Sequence, residues 1–205
     1  MSEPVFSRVR WLALAWLLVY LPSYTWAYGL TNFLFLCNLS VVLFCLGVLR
    51  GNALLISASA ISSLVVDTVW TLDFAPRLLF GRHLFGGTEY MWDPRWPLFT
   101  RLLSLYHAVL PTLLILALRR VGYDRRALPV QAAVALVAMT LARLAAPQAN
   151  INYAHLDPFY RSWGPAAVHL AVVWTALLLG AYFPTPLALC RLLPRAPDPT
   201  KGRSL

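Results

Sequence analysis

The chain has 205 residues, of which 60% are hydrophobic and only 12% charged, and its mean hydropathy is +0.65. A soluble domain carries about 25% charged residues, so this composition excludes a soluble globular fold and points to an all-α polytopic membrane bundle of about six helices forming a single transmembrane domain. The formal charge of +9 would suggest nucleic acid in a soluble domain. No basic cluster alternates with aromatic residues here, and Lys and Arg gather on one side of membrane proteins for topological reasons, so no nucleic-acid partner is expected.

The first predicted span, 11–28, follows Arg8 and Arg10 and looks at first like a signal peptide. No small-x-small cleavage site follows, and the apolar run continues to Trp26 and Tyr28, so it reads as a retained helix. The second span, 32–49, carries Cys37 and Asn38 near its start and Cys45 two turns deeper. The third, 53–74, contains "SASAISS", whose small residues four apart let helices approach closely. It ends on Asp67, Trp70 and Asp73, which with Arg77 fall within one arc at 100° per residue.

A loop over 75–97, rich in Gly and aromatic residues, leads to the fourth span, 98–118. Arg101, Ser104 and His107 share one face there, and His107 lies about 14 Å from the helix start at 1.5 Å per residue, near mid-bilayer. The turn "RRVGYDRRAL" precedes the fifth span, 128–146, which ends near Arg143. A second loop, 147–165, carries Asn152, Tyr153 and His155 before the sixth span, 166–190, with His169 near its start. Both loops resemble a lid, and Tyr90, Trp92, Trp96, Tyr153, Tyr160 and Trp163 suit an interfacial aromatic belt.

Orientation follows from the positive charges. With a cytoplasmic N-terminus, eleven of the seventeen Lys and Arg residues fall on the cytoplasmic side. The expected location is therefore the bacterial inner membrane, with both termini cytoplasmic. Five helices then bring polar groups to the outer half of the bundle. Asp67 and Asp73 are costly there unless neutralised, and Arg101 and Arg143 are available as partners.

A titratable imidazole inside a spanning helix suggests proton transfer. His107 is the candidate general base, Cys37 the candidate nucleophile if a base is in reach, and Asp67 the acidic neighbour. Asn38, Arg101, Ser104, Asn152, Tyr153 and His155 are candidates for substrate binding. His83, His155, Asp157 and His169 lack the local spacing of a metal site, and the three cysteines form no C-x-x-C pair, so no metal is expected. Nothing in the sequence asks for a cofactor.

"DF..RLLFG", "TEYMWDP", "RLLSLYHAVLP", "GYDRRAL" and "NINY", across roughly 30–155, resemble a group of bacterial multi-pass membrane-associated proteins. That resemblance implies a fold and a location and no chemistry. "FLCNLS" and "SLYHAVLP" are similar to segments of intramembrane acyltransferases and lipid hydrolases related to the androgen-induced hydrolases. This second likeness implies a nucleophile at Cys37 and a base at His107. The expected function is therefore action on a membrane lipid by acyl transfer or hydrolysis. The alternative is a non-catalytic membrane component that binds a small hydrophobic ligand or scaffolds a membrane-protein partner.

Overall fold

The computed structural model describes residues 5–145 and 147–193. These residues fold as helices joined by short 3-10 turns and loops, with no strand among them. Helix α1 covers Val9–Tyr28, α2 Leu36–Arg50, α3 Ala53–Phe80, α4 Leu98–Leu103, α5 Tyr106–Val121, α6 Ala127–Leu144, α7 Ala166–Leu177 and α8 Pro184–Leu192. A π-turn, Leu178–Tyr182, joins the last two. Four helical segments are long and apolar enough to cross a membrane: Ala53–Phe80, Leu98–Val121, Ala127–Leu144 and Ala166–Leu192.

Of the six expected spans, the first is a twenty-residue helix rich in Trp and Tyr. The second corresponds to α2, which has only 15 residues. At 1.5 Å per residue it is about 22 Å long, short of the ~30 Å of hydrocarbon. Helix α3 has 28 residues and runs through Pro76 to Phe80, so the first loop begins at Gly81 and not at residue 75. Arg195, Lys201 and Arg203, part of the charge argument for orientation, lie outside the described residues.

Helix α3 is the axis of the bundle, packed against α2, α5 and α6. The small residues of "SASAISS" explain why. Ser57, Ala58, Ser59, Ala60, Ser62 and Ser63 are all buried. Ser40 Oγ of α2 lies 2.7 Å from Ser59 Oγ, and Ser63 Oγ donates to Ser40 Oγ at 2.7 Å. Small side chains and hydroxyl pairs hold helices together where lipid offers no hydrophobic drive. Gly47 completes this contact, because a Cβ there would stand 2.7 Å from Ile56 Cγ1.

Two proline effects shape the helices near the site. Pro111 cannot donate to the carbonyl of His107, and its ring crowds the same group. The chain tightens just before it: His107 N bonds Ser104 O at 3.2 Å and Ala108 N bonds Leu105 O at 3.0 Å, three residues back in each case. In the last span, Pro184 and Pro186 deny donors to Gly180 and Tyr182. The helix widens there, and Phe183 N bonds Leu178 O at 2.8 Å, five residues back.

Candidate functional site

Helix α2 begins only at Leu36, and the chain before it is a short 3-10 turn, Leu30–Leu34, and not a continuation of the α-helix. The level of that end is fixed by hydrogen bonds. Ser62 Oγ of α3 donates to the Leu36 carbonyl at 3.2 Å. At the opposite end of the bundle, Ser57 Oγ accepts from Asp124 N in the α5–α6 turn at 3.0 Å. Five residues of α3, about 7.5 Å, separate the two levels. A cavity of about 1040 Å³ opens above α2, bounded by α1, α3, α5 and α7.

The loops cover this cavity as a lid, as their length and aromatic content suggest. Tyr90 and Trp96 come from the first loop, and Tyr153, Asp157, Arg161 and Trp163 from the second. Each loop is organised by one aspartate. Asp73 Oδ1 accepts from the amides of Leu84 (2.9 Å), Phe85 (2.5 Å) and Gly86 (3.1 Å). Its Oδ2 accepts from Thr88 N (3.0 Å) and Thr88 Oγ1 (2.6 Å), with His83 Nδ1 at 3.3 Å. Asp157 accepts from the amides of Phe159 (2.8 Å) and Arg161 (2.9 Å) and from Trp163 Nε1 (2.9 Å). Burial pushes the Asp157 carboxyl up, but those donors outweigh it and hold the group below the ordinary carboxylate range.

His107 stands on the cavity wall with its imidazole between two rings. Trp70 stacks at 4.5 Å and 12°, and Tyr106 at 4.0 Å and 20°. Nδ1 lies 2.7 Å from the Ser104 carbonyl. A carbonyl only accepts, so Nδ1 carries the hydrogen. Nε2 faces Asp67 Oδ1 at 3.9 Å, and Asp67 is fully buried behind the ring. Neither Asp67 oxygen has a hydrogen-bond partner. A lone buried carboxylate is strongly unfavourable, so this pair is held without net charge, and at 3.9 Å no hydrogen bond joins its members.

The expected Asp–Arg pairing is not formed: the loops hold Asp73, Arg101 and Arg143, and Asp67 faces His107. Arg101 Nη1 donates to the Met91 carbonyl at 2.9 Å, Arg143 donates to the Ala154 carbonyl, and Asp73 binds loop amides instead of an arginine. Among the described residues, the ion pairs are His83–Asp73, Arg95–Asp93, His107–Asp67 and Arg126–Asp124.

The other candidates divide into those that face the cavity and those that build it. Cys37 and Ser104 line it with His107. Cys37 lies at the floor, beside Leu36 at the Ser62 level, whereas Asp67 is five residues, about 7.5 Å, higher on α3. No hydrogen bond joins Cys37 to His107 or Asp67 among the described residues. Asn38 and Asn152 reach the lining, but their polar atoms serve the protein. Asn38 Oδ1 accepts from Tyr20 and Tyr106 hydroxyls, both at 2.8 Å, and its Nδ2 donates to Asn32 O at 2.9 Å. Asn152, at φ 52°, dips from its loop to accept from Leu36 N at 3.0 Å and donate to Leu34 O at 2.7 Å. It thereby caps the short helix. Tyr153 lines the cavity, while Arg101 and His155 do not. His169 is anchored by the Tyr153 carbonyl at 3.0 Å, and among the described residues no three His, Cys, Asp or Glu side chains gather as a metal site would require.

One set of residues emerges only in three dimensions. Trp16, Tyr20, Tyr24 and Tyr28 recur every four residues along α1 and form a continuous aromatic ladder, extended by Trp96 at 4.7 Å from Tyr28. Tyr24 and Ser104 hydroxyls pair at 2.6 Å, so the ladder reaches the turn that holds His107. Its spacing is visible in "WLLVYLPSYTWAY" as one helical face. Compared with families of known proteins, with characterised proteins and with solved structures, the chain matches none.

Proposed function

We propose that this chain is an integral protein of the bacterial inner membrane, with both termini cytoplasmic, that draws one membrane lipid into its cavity and acts on the lipid's acyl ester. The observation that carries this reading is the buried Asp67–His107 contact, 3.9 Å from Oδ1 to Nε2, on the wall of a largely apolar, roofed cavity. The cavity rises from Ser62 to Trp70, about 12 Å along α3, comparable to the ~15 Å of one leaflet's hydrocarbon. A lipid with its head among the loop residues would lie with its ester near Ser104 and His107.

His107, as the neutral imidazole, then takes a proton from water as the water oxygen attacks the ester carbonyl, and gives that proton to the departing alkoxide when the acyl–oxygen bond breaks. Asp67 is the acidic neighbour of the transient imidazolium. The ring has to turn Nε2 from its long contact with Asp67 toward the cavity, which a bound ester would favour by excluding bulk water. Attack by Cys37 requires the carbonyl to descend to the floor, so hydrolysis by His107-activated water is the simpler route and acyl transfer through Cys37 the longer one. A second reading, binding of a hydrophobic ligand without chemistry, is favoured by the fact that both imidazole nitrogens already face protein groups.

The test is purified protein incubated with total bacterial lipid extract, read by mass spectrometry for released fatty acid and for a thioester on Cys37. Hydrolysis predicts fatty-acid release that His107→Gln abolishes and Cys37→Ser retains, while acyl transfer predicts a thioester lost with Cys37→Ser. Lipid that co-purifies without either product supports the binding reading and rejects the enzyme. Orientation is tested by thiol labelling in intact cells, where a cysteine at Gly87 should react and one at Arg125 should not.

A further inference from the structure

We propose that Tyr182 is the floor of the cavity and sets the length of the lipid tail it accepts. This rests on the reading that the cavity holds a lipid, and it adds the class of lipid: one whose tail ends at about mid-bilayer.

The level of Tyr182 is fixed from two sides. Its hydroxyl accepts from Gln131 Nε2 at 3.1 Å, and Gln131 is only four residues into α6, near the end of the bundle away from the loops. Ser57 and Asp124 mark that end on α3, so Gln131, one turn further in, stands near Ser62. Tyr182, Ser62 and Leu177 line the bottom of the cavity, and Tyr182 is wholly buried. Tyr182 belongs to the buried core of the bundle together with Ala127 of α6 and Leu189 of α8.

The π-turn is what brings this ring to the floor. One extra residue per turn rotates everything that follows by about 100° relative to a regular α-helix. Without the widening at Phe183 N to Leu178 O, Tyr182 would leave the cavity face that Val173, Ala176 and Leu177 occupy. The two prolines that cause the widening follow directly, at positions 184 and 186. Complete burial holds the ring in place with or without its hydroxyl bond to Gln131, which makes it a stop and not a mobile plug.

A tail entering from the loop side therefore meets a rigid phenol about 12 Å below Trp70. Tails that end above it fit straight, and longer ones must bend or remain outside. Ala176, exposed on α7 yet lining the cavity just above the floor, offers an independent way to shorten the same space.

The experiment uses the full chain in detergent, exposed to an equimolar series of saturated monoacylglycerols from decanoyl to octadecanoyl, with retained members quantified by mass spectrometry after gel filtration. The wild type should retain members up to a sharp cut-off. Tyr182→Ala should move that cut-off to longer chains by two or more carbons, Tyr182→Phe should leave it in place, and Ala176→Phe should move it to shorter chains. If Tyr182→Ala does not fold, Ala176→Phe and Tyr182→Phe still decide. An unchanged cut-off in Ala176→Phe and in a folded Tyr182→Ala overturns the floor assignment while leaving lipid binding intact. No retention by the wild type above an empty-detergent control overturns lipid binding itself.

Discussion

Asn38 holds three helices' worth of polar groups together with one side chain, and the arrangement predicts a non-additive pair of mutants. Its Oδ1 accepts two phenols, Tyr20 from α1 and Tyr106 from α5. Tyr20→Phe removes one bond but leaves Oδ1 satisfied by the other, and Tyr106→Phe does the converse. Each should cost about 0.5–1 kcal/mol, the net worth of a hydrogen bond in or near a membrane interior. The rings stay, so their packing, with centroids 5.8 Å apart, is retained. The double variant leaves Oδ1 with no donor at a site only 5% exposed. Orphaning a buried acceptor costs about 1–3 kcal/mol in its own right, so the double should exceed the sum of the singles by about 1–2 kcal/mol. For a chain of this size that excess is roughly 2–8 °C in midpoint. Thermal unfolding in mild detergent at one fixed scan rate, followed by tryptophan fluorescence, measures it. A double variant equal to the sum of the singles within about 0.5 kcal/mol would mean that water reaches Asn38 and replaces the lost donors, which would refute the reasoning.

Two further outcomes follow from the loop aspartates. Asp73→Ala should release the first loop: the amides of Leu84, Phe85, Gly86 and Thr88 lose their shared acceptor, and their hydrogen exchange should rise together while that of α5 stays unchanged; protection that persists would show that the loop holds itself. Asp157 has its carboxyl held low in the folded chain, so its contribution is present above the unfolded value of about 3.9 and disappears as pH falls through the lower folded value. Acidification across that window should loosen the second loop, seen as a change in Trp163 emission in a variant that keeps this tryptophan and replaces the other seven. Asp157→Asn should abolish that acid transition, and a transition that survives in Asp157→Asn would assign it to another group.

Much of the bundle was legible because its signals are local. Apolar runs of about twenty residues mark the helices, the four-residue spacing of small residues marks α3 for close helix contact, and loop length with aromatic content singles out segments that line the cavity. Asp67 and His107 were also legible, since titratable groups in apolar helices stand out against hydrocarbon. What escaped were features that depend on where an element ends in space. Leu34 and Phe35 are as apolar as the residues after them, so nothing in hydropathy marks Leu36 as the start of α2; the capping group, Asn152, is 116 residues away. The arginines misled for a related reason. Charge complementarity suggests Asp–Arg pairs across the bundle, but loop carbonyls accept from Arg101 and Arg143 instead, and carbonyls carry no sequence signature.

That distant cap links the lid to the floor. Asn152 is part of the loop that roofs the cavity, yet its amide ends the helix that forms the cavity's base, accepting from Leu36 N and donating to Leu34 O. The next residue, Tyr153, lines the cavity and gives its carbonyl to His169 of α7. One loop therefore ties together the short helix, the roof and the wall opposite His107. A lipid that pushed α7 outward would pull on Tyr153 and, through Asn152, on the first turn of α2 where Cys37 sits. Cys37 and the roof of the cavity are thus held by the same loop. Asn152→Ala should loosen roof and floor at once, with Cys37 and the second loop both gaining accessibility to thiol reagent and exchange. A rise confined to the loop would show that α2 holds its end without the cap, and would separate the floor from the lid.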